Sequence, residues 1–126
     1  MRVLVIDDSR AMRAILKNIL FDEGFDVAEA CNGQDGLNVL QQIGAPDLIL
    51  VDWNMPEMNG LEFITYIRSG TQYPKVKILM VTTETEMTNV VKALESGADE
   101  YLMKPFSKKM LHEKLEILGL VEHNNE

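Results

Sequence analysis

The chain has 126 residues, 46% hydrophobic and 25% charged, which is enough for one globular core and too little for two. Its formal net charge is −8, and its densest basic spot is only Lys108-Lys109, which argues against direct nucleic-acid binding or docking on an anionic membrane. The lone Cys31 has no partner for an internal disulfide and no His or Cys at metal-ligand spacing, and no apolar run reaches signal or membrane-span length, so a cytoplasmic location without membrane insertion is expected.

Val3 to Ile6 is an apolar run that ends in Asp7 and Asp8. Met12, Ile15, Leu16, Ile19 and Leu20 follow at helical spacing, and Gly24 stops the helix. Phe25, Val27 and Ala30 read as a weaker strand. Asn32 and Gly33 turn the chain into a helix with Leu37, Leu40 and Ile43, ended by Gly44 and Pro46. Leu48 to Val51 is four branched apolar residues in a row, which reads as a central strand covered on both faces, and Asp52 closes it. On its own Asp52 could simply cap a turn. After Asn59 and Gly60 comes a helix with Leu61, Ile64 and Ile67 inward, broken before Pro74. Ile78 to Val81 is the fourth strand, ending in Thr82, Thr83 and Glu84. Met87, Val90, Val91 and Leu94 make the expected inner stripe of the next helix, capped by Gly97. Tyr101 to Met103 form a short fifth strand, Lys104 and Pro105 follow, and Ser107 is placed to cap a last helix with Leu111, Leu115 and Leu118. The spacing predicts a domain over residues 1–119 and a flexible tail over 120–126.

Five strands alternating with five helices predict an α/β fold, a three-layer doubly wound five-stranded parallel sheet. In such sheets functional groups gather beyond the carboxyl ends of the strands. Asp7, Asp8, Asp52, Thr82, Thr83 and Lys104 all fall there and should meet in one cleft. Like-charged carboxylates about 4 Å apart repel by on the order of 4 kcal/mol per pair at an effective dielectric of about 20. A hard divalent cation offsets this, oxygen-only ligands favour Mg²⁺, and Lys104 adds a fixed positive charge. Such a pocket is suited to receiving a phosphoryl group.

With Asp7-Asp8, the run Asp52-Trp53-Asn54-Met55-Pro56, Thr82, Tyr101 and Lys104-Pro105-Phe106 in this order, the chain resembles the receiver domain of two-component response regulators, most closely stand-alone regulators of the CheY type. The resemblance implies a flavodoxin-like strand order 2-1-3-4-5. It also implies that Asp52 is phosphorylated by a sensor histidine kinase, with Lys104 and Thr82 as its catalytic partners. Mg²⁺ would be held by Asp7, Asp8, Asp52 and the backbone carbonyl of Asn54, with Asp7 acting through water. Thr82, Thr83 and Lys104 would bind the phosphoryl group, and a cis Lys104-Pro105 bond is expected. Thr82 and Tyr101 would form the switch that reshapes the face of the fourth helix, fifth strand and fifth helix for a downstream protein, in chemotaxis or motility. Read without the resemblance, Tyr101 is a half-buried strand aromatic. A monomer is expected, which promotes its own phosphorylation and dephosphorylation and is otherwise no enzyme.

Other residues carry less. Trp53 is read as a packing residue whose fluorescence reports on the ion, and Met55, Met58 and Met87 as gap-fillers; the resemblance implies that Glu84 and Asn54 tune the attack of water on the acyl phosphate. His112 and His123 lie away from the strand edges. A flavin site would need a Ser, Thr and Gly-rich loop where Asp7 and Asp8 stand, and an aspartyl-phosphate hydrolase would place its nucleophile after the first strand of a longer chain. A phosphorelay intermediate, passing the group to a histidine phosphotransfer protein, shares every site residue and is the alternative.

Overall fold

Each long apolar run is a strand, and the runs are unbroken because helices cover both faces of the sheet. The computed structural model describes residues 1–55, 57–83 and 87–122, apart from the Met87 side chain. Pro56, Glu84 and His123, read above from sequence, lie outside the described residues. Among the described residues the chain runs β1 (Arg2–Ile6), α1 (Arg10–Asp22), β2 (Asp26–Ala30), α2 (Gly33–Ile43), β3 (Leu48–Asp52), α3 (Gly60–Ser69), β4 (Lys77–Thr83), α4 (Met87–Glu95), β5 (Glu100–Lys104) and α5 (Lys108–Ile117). The strands are parallel in the order β2-β1-β3-β4-β5, the flavodoxin-like order expected.

Alternate residues of each strand divide between two cores. Leu4, Ile6, Ile49, Val51, Ile78 and Met80 pack against Leu40 of α2, Phe63, Ile64 and Ile67 of α3, and Val90 and Ala93 of α4. Val3, Val5, Leu48, Leu50, Leu79, Val81 and Leu102 face Leu16 and Leu20 of α1 and Leu111 and Leu115 of α5. Side-chain caps set where four of the helices begin: Ser9, Asn32, Asn59 and Ser107 accept the backbone N–H of Met12, Asp35, Glu62 and Met110. All four caps stand in loops that leave the carboxyl ends of strands, so helix N-termini surround the edge where the polar residues collect.

The helix faces correct the sequence reading in detail. The inner stripe of α4 is Val90 and Ala93, whereas Val91 and Leu94 are 58% and 41% exposed. Ala93 can lie close against the sheet, and that rotates Val91 and Leu94 outward. Ile15 of α1 is likewise half exposed, while Phe63, passed over in the sequence, is fully buried. Leu120 and Val121, at the start of the expected tail, pack against the α1–α5 core. The Lys104-Pro105 bond is cis. Among the described residues no helix is long and apolar enough to cross a membrane.

Removing Phe63 empties the middle of the α2–α4 core, so Phe63→Ala should cost about 3–5 kcal/mol in urea unfolding. Val91→Ala, on the exposed side of α4, should stay within about 0.5 kcal/mol.

Candidate functional site

Parallel pairing brings the strand ends together. Ile6 lies beside Val51, which sets Asp7 next to Asp52; Asp52 lies beside Val81, one residue before Thr82, and Thr83 lies beside Lys104. Strand order reverses at β1, and the crevice between β1 and β3 opens at that point. Asp7 and Asp52 are buried there and Asp8 is exposed at its rim.

Carboxylate oxygens of Asp7, Asp8 and Asp52 all lie within 4.8 Å of one another. Lys104 Nζ donates to Asp52 Oδ1 at 3.2 Å and stands 3.6 Å from Asp7 Oδ2. Asp7 Oδ2 is buried with no hydrogen-bond partner among the described residues. A buried carboxylate oxygen that makes no hydrogen bond and shares one ammonium with a second carboxylate is under-compensated, and an oxygen-only donor set of this kind fits a divalent cation.

Asp52 registers this crowding in its protonation. Burial pushes its carboxyl up to about 6; the Asp7 charge adds to the rise, Lys104 opposes it by charge and by hydrogen bond, and Asp8 adds a further push.

The other residues singled out in the sequence are placed as follows. Thr82 is buried and Thr83 half-buried at the end of β4, and Asn54 is exposed in the loop after β3. Trp53 packs half-buried against the α2–α4 core, with its N–H donating to Val81 O at 3.0 Å. Tyr101 lies beside Met80 and packs against the same core, so it shares the α4 face of the sheet with Thr82, one strand pair away. His112 is not at this edge. It ties α5 to α1, with Nδ1 2.8 Å from Glu23 Oε1 and Nε2 3.1 Å from Glu116 Oε1.

The sequence reading missed three supports. Gly60 opens α3 directly against the end of β3, where a Cβ would meet Asp52 O at 2.7 Å and Trp53 Cα at 3.0 Å. Only its position at a helix start hinted at this. Lys114 Nζ stands 4.3 Å from the Tyr101 ring centroid and donates to Glu100 Oε1 at 3.0 Å; nothing in the sequence marks it. Arg13 donates through Nη1 to Asp7 O at 2.6 Å, although an arginine in the first turns of a helix reads as a solvated charge.

Comparison with known proteins agrees with this geometry. The profile of the response regulator receiver domain matches residues 3–116. The chain is 44% identical over 121 residues to a "Chemotaxis protein CheY homolog" of Campylobacter jejuni, covering 94% of this chain and 93% of that protein. It is 41% identical over 119 residues to "Chemotaxis protein CheY1" of Helicobacter pylori, covering 94% and 96%. Among solved structures it is similar to chemotaxis protein CheY4 of Vibrio cholerae, with a TM-score of 0.85, 36% identity, and coverage of 93% of this chain and 97% of that one.

The raised pKa of Asp52 sets a pH dependence. The folded state holds a proton that the unfolded chain releases, so the stability linked to Asp52 is present below the ordinary carboxylate pKa of about 4 and is lost as pH rises toward about 6. In chelator, thermal midpoints from pH 4.5 to 7.5 should therefore fall for the natural protein and fall less for Asp52→Asn, which should be the more stable at pH 7.

Proposed function

This chain belongs to the family of response regulator receiver domains, and on that basis we propose that it accepts a phosphoryl group on Asp52 from a histidine kinase and signals in chemotaxis. The observation that carries the reading is the Asp52 carboxylate, buried at a strand end and held 3.2 Å from Lys104 beside two further carboxylates.

With a pKa of about 6, Asp52 is mostly ionised at pH 7 and needs no general base. One of its oxygens forms the new O–P bond as the N–P bond of the phosphohistidine breaks and the electron pair leaves on the imidazole nitrogen. The residues contribute position and charge, as in other phosphoryl transfers. Lys104, already shared between Asp7 and Asp52, follows the negative charge onto the phosphoryl oxygens. The Thr82 hydroxyl and the Thr83 N–H hold the transferred group. Asp7, Asp8, Asp52 and the backbone carbonyl of Asn54 would hold Mg²⁺; the buried Asp7 Oδ2, which makes no hydrogen bond among the described residues, supports this set. Bound there, Mg²⁺ supplies charge neutralisation for the carboxylates and the phosphoryl oxygens.

The proposed output is a shift of Thr82 toward the phosphoryl group that frees space for Tyr101, changing the face of α4, β5 and α5. Exposed Val91 and Leu94 on α4 supply apolar surface for a protein partner there. The chemotaxis names of relatives that match 94% of the chain favour a motility messenger over a relay. The messenger is proposed to act in the cytoplasm as a monomer.

Acetyl phosphate with Mg²⁺ should give a hydroxylamine-sensitive phosphoryl label on the natural protein and on His112→Ala, and none on Asp52→Asn. A label that survives Asp52→Asn would refute the acceptor. Millimolar Mg²⁺ should raise the thermal midpoint and change Trp53 emission, and no change in either would remove the cation site.

A further inference from the structure

Asp7 is gripped from three sides. Its N–H donates to Ala30 O at 3.1 Å, its Oδ1 accepts the Ser9 N–H at 2.8 Å, and its main-chain carbonyl accepts Arg13 Nη1 at 2.6 Å. What remains is Oδ2, buried in the acidic cluster without a hydrogen bond among the described residues, its one ion pair being Lys104 Nζ at 3.6 Å. Arg13 lies one turn into α1, with its N–H on the carbonyl of the cap Ser9 at 3.0 Å and its side chain only 17% exposed. Its Nε stands 3.4 Å from Glu29 Oε1 on β2, and Lys17 Nζ is 3.6 Å from the other oxygen of Glu29.

The direction of this guanidinium is informative. Three carboxylates lie close by, yet the ion pair that Arg13 makes is with Glu29, at the edge strand, and toward the cluster it presents a hydrogen bond to a carbonyl. Its fixed, planar donors allow one side chain to hold the carbonyl and the edge strand together, which a lysine cannot do. We propose that Arg13 is a positioning residue for the cation site, anchored by Glu29, which fixes the backbone of Asp7 so that Oδ2 is presented to the cation. This rests on the cation site proposed above.

Charge and positioning predict opposite signs. As a nearby positive charge, Arg13 repels a cation, so a purely electrostatic role makes Arg13→Ala bind Mg²⁺ more tightly. As a positioning residue, its loss loosens Asp7 and weakens binding by roughly ten-fold, the size usual for groups that orient a metal ligand.

The midpoint of the Trp53 emission change on titration with MgCl₂ reads this directly. Arg13→Ala should need roughly ten-fold more Mg²⁺, and Arg13→Lys, which keeps the charge and loses the two-partner grip, should also be weakened. Lys17→Ala removes a positive charge from the same Glu29 without touching Asp7 and should titrate like the natural protein. Equal or tighter binding by Arg13→Ala overturns the assignment, and so does an equal loss in Lys17→Ala. Should Arg13→Ala fail to fold, unchanged affinity in Arg13→Lys overturns it. A natural protein that does not respond to Mg²⁺ sinks the cation site and this inference together, whereas a response that Arg13 variants share unchanged sinks this inference alone.

Discussion

The structure depends on a charge imbalance held in place by a parallel sheet. Parallel strands deliver all their carboxyl ends to one edge, and the reversal of order between β1 and β3 opens a crevice there. Among the described residues, three carboxylates and one ammonium, that of Lys104, meet there. Packing on both faces keeps β1 and β3 rigid, so Asp7 and Asp52 cannot move apart to relieve the repulsion. The fold therefore stabilises an arrangement that its side chains alone would disfavour, and the strain is concentrated at the group proposed to react.

Much of this was legible because burial on both sides leaves a plain mark in a sequence. Leu48 to Val51 could only be a covered strand, and Asp52 directly after such a run had to stand at its end. The same logic placed Asp7 and Thr82, whereas Lys104 was placed by the shorter, half-buried run Tyr101 to Met103. The helix faces were harder. On α4 the contact with the sheet is made by Ala93, whose small side chain does not count in a stripe of large apolar residues, and so Val91 and Leu94 were turned inward in the reading while the fold exposes them. Phe63 escaped for a different reason, since Leu61, Ile64 and Ile67 already made a plausible stripe.

The supports of the site were less legible than the site. Arg13 acts on a backbone carbonyl, and a carbonyl has no residue code, so no spacing of side chains could reveal the contact. Lys114 over Tyr101 depends on how α5 lies across β5, which is a matter of packing between elements. A chemical group can be recognised from its own residue type and place in the chain, whereas its alignment depends on neighbours brought close only by folding.

The glycine that begins α3 has a mechanical meaning. No side chain cushions the space between that helix end and the main chain of Asp52, and Trp53 is tied by its N–H to Val81 on the neighbouring strand. The proposed acceptor thus has a hard backing on one side. Bulk added to its carboxylate would find no slack by recoil in that direction. A stiff wall behind a small chemical change gives that change a direction.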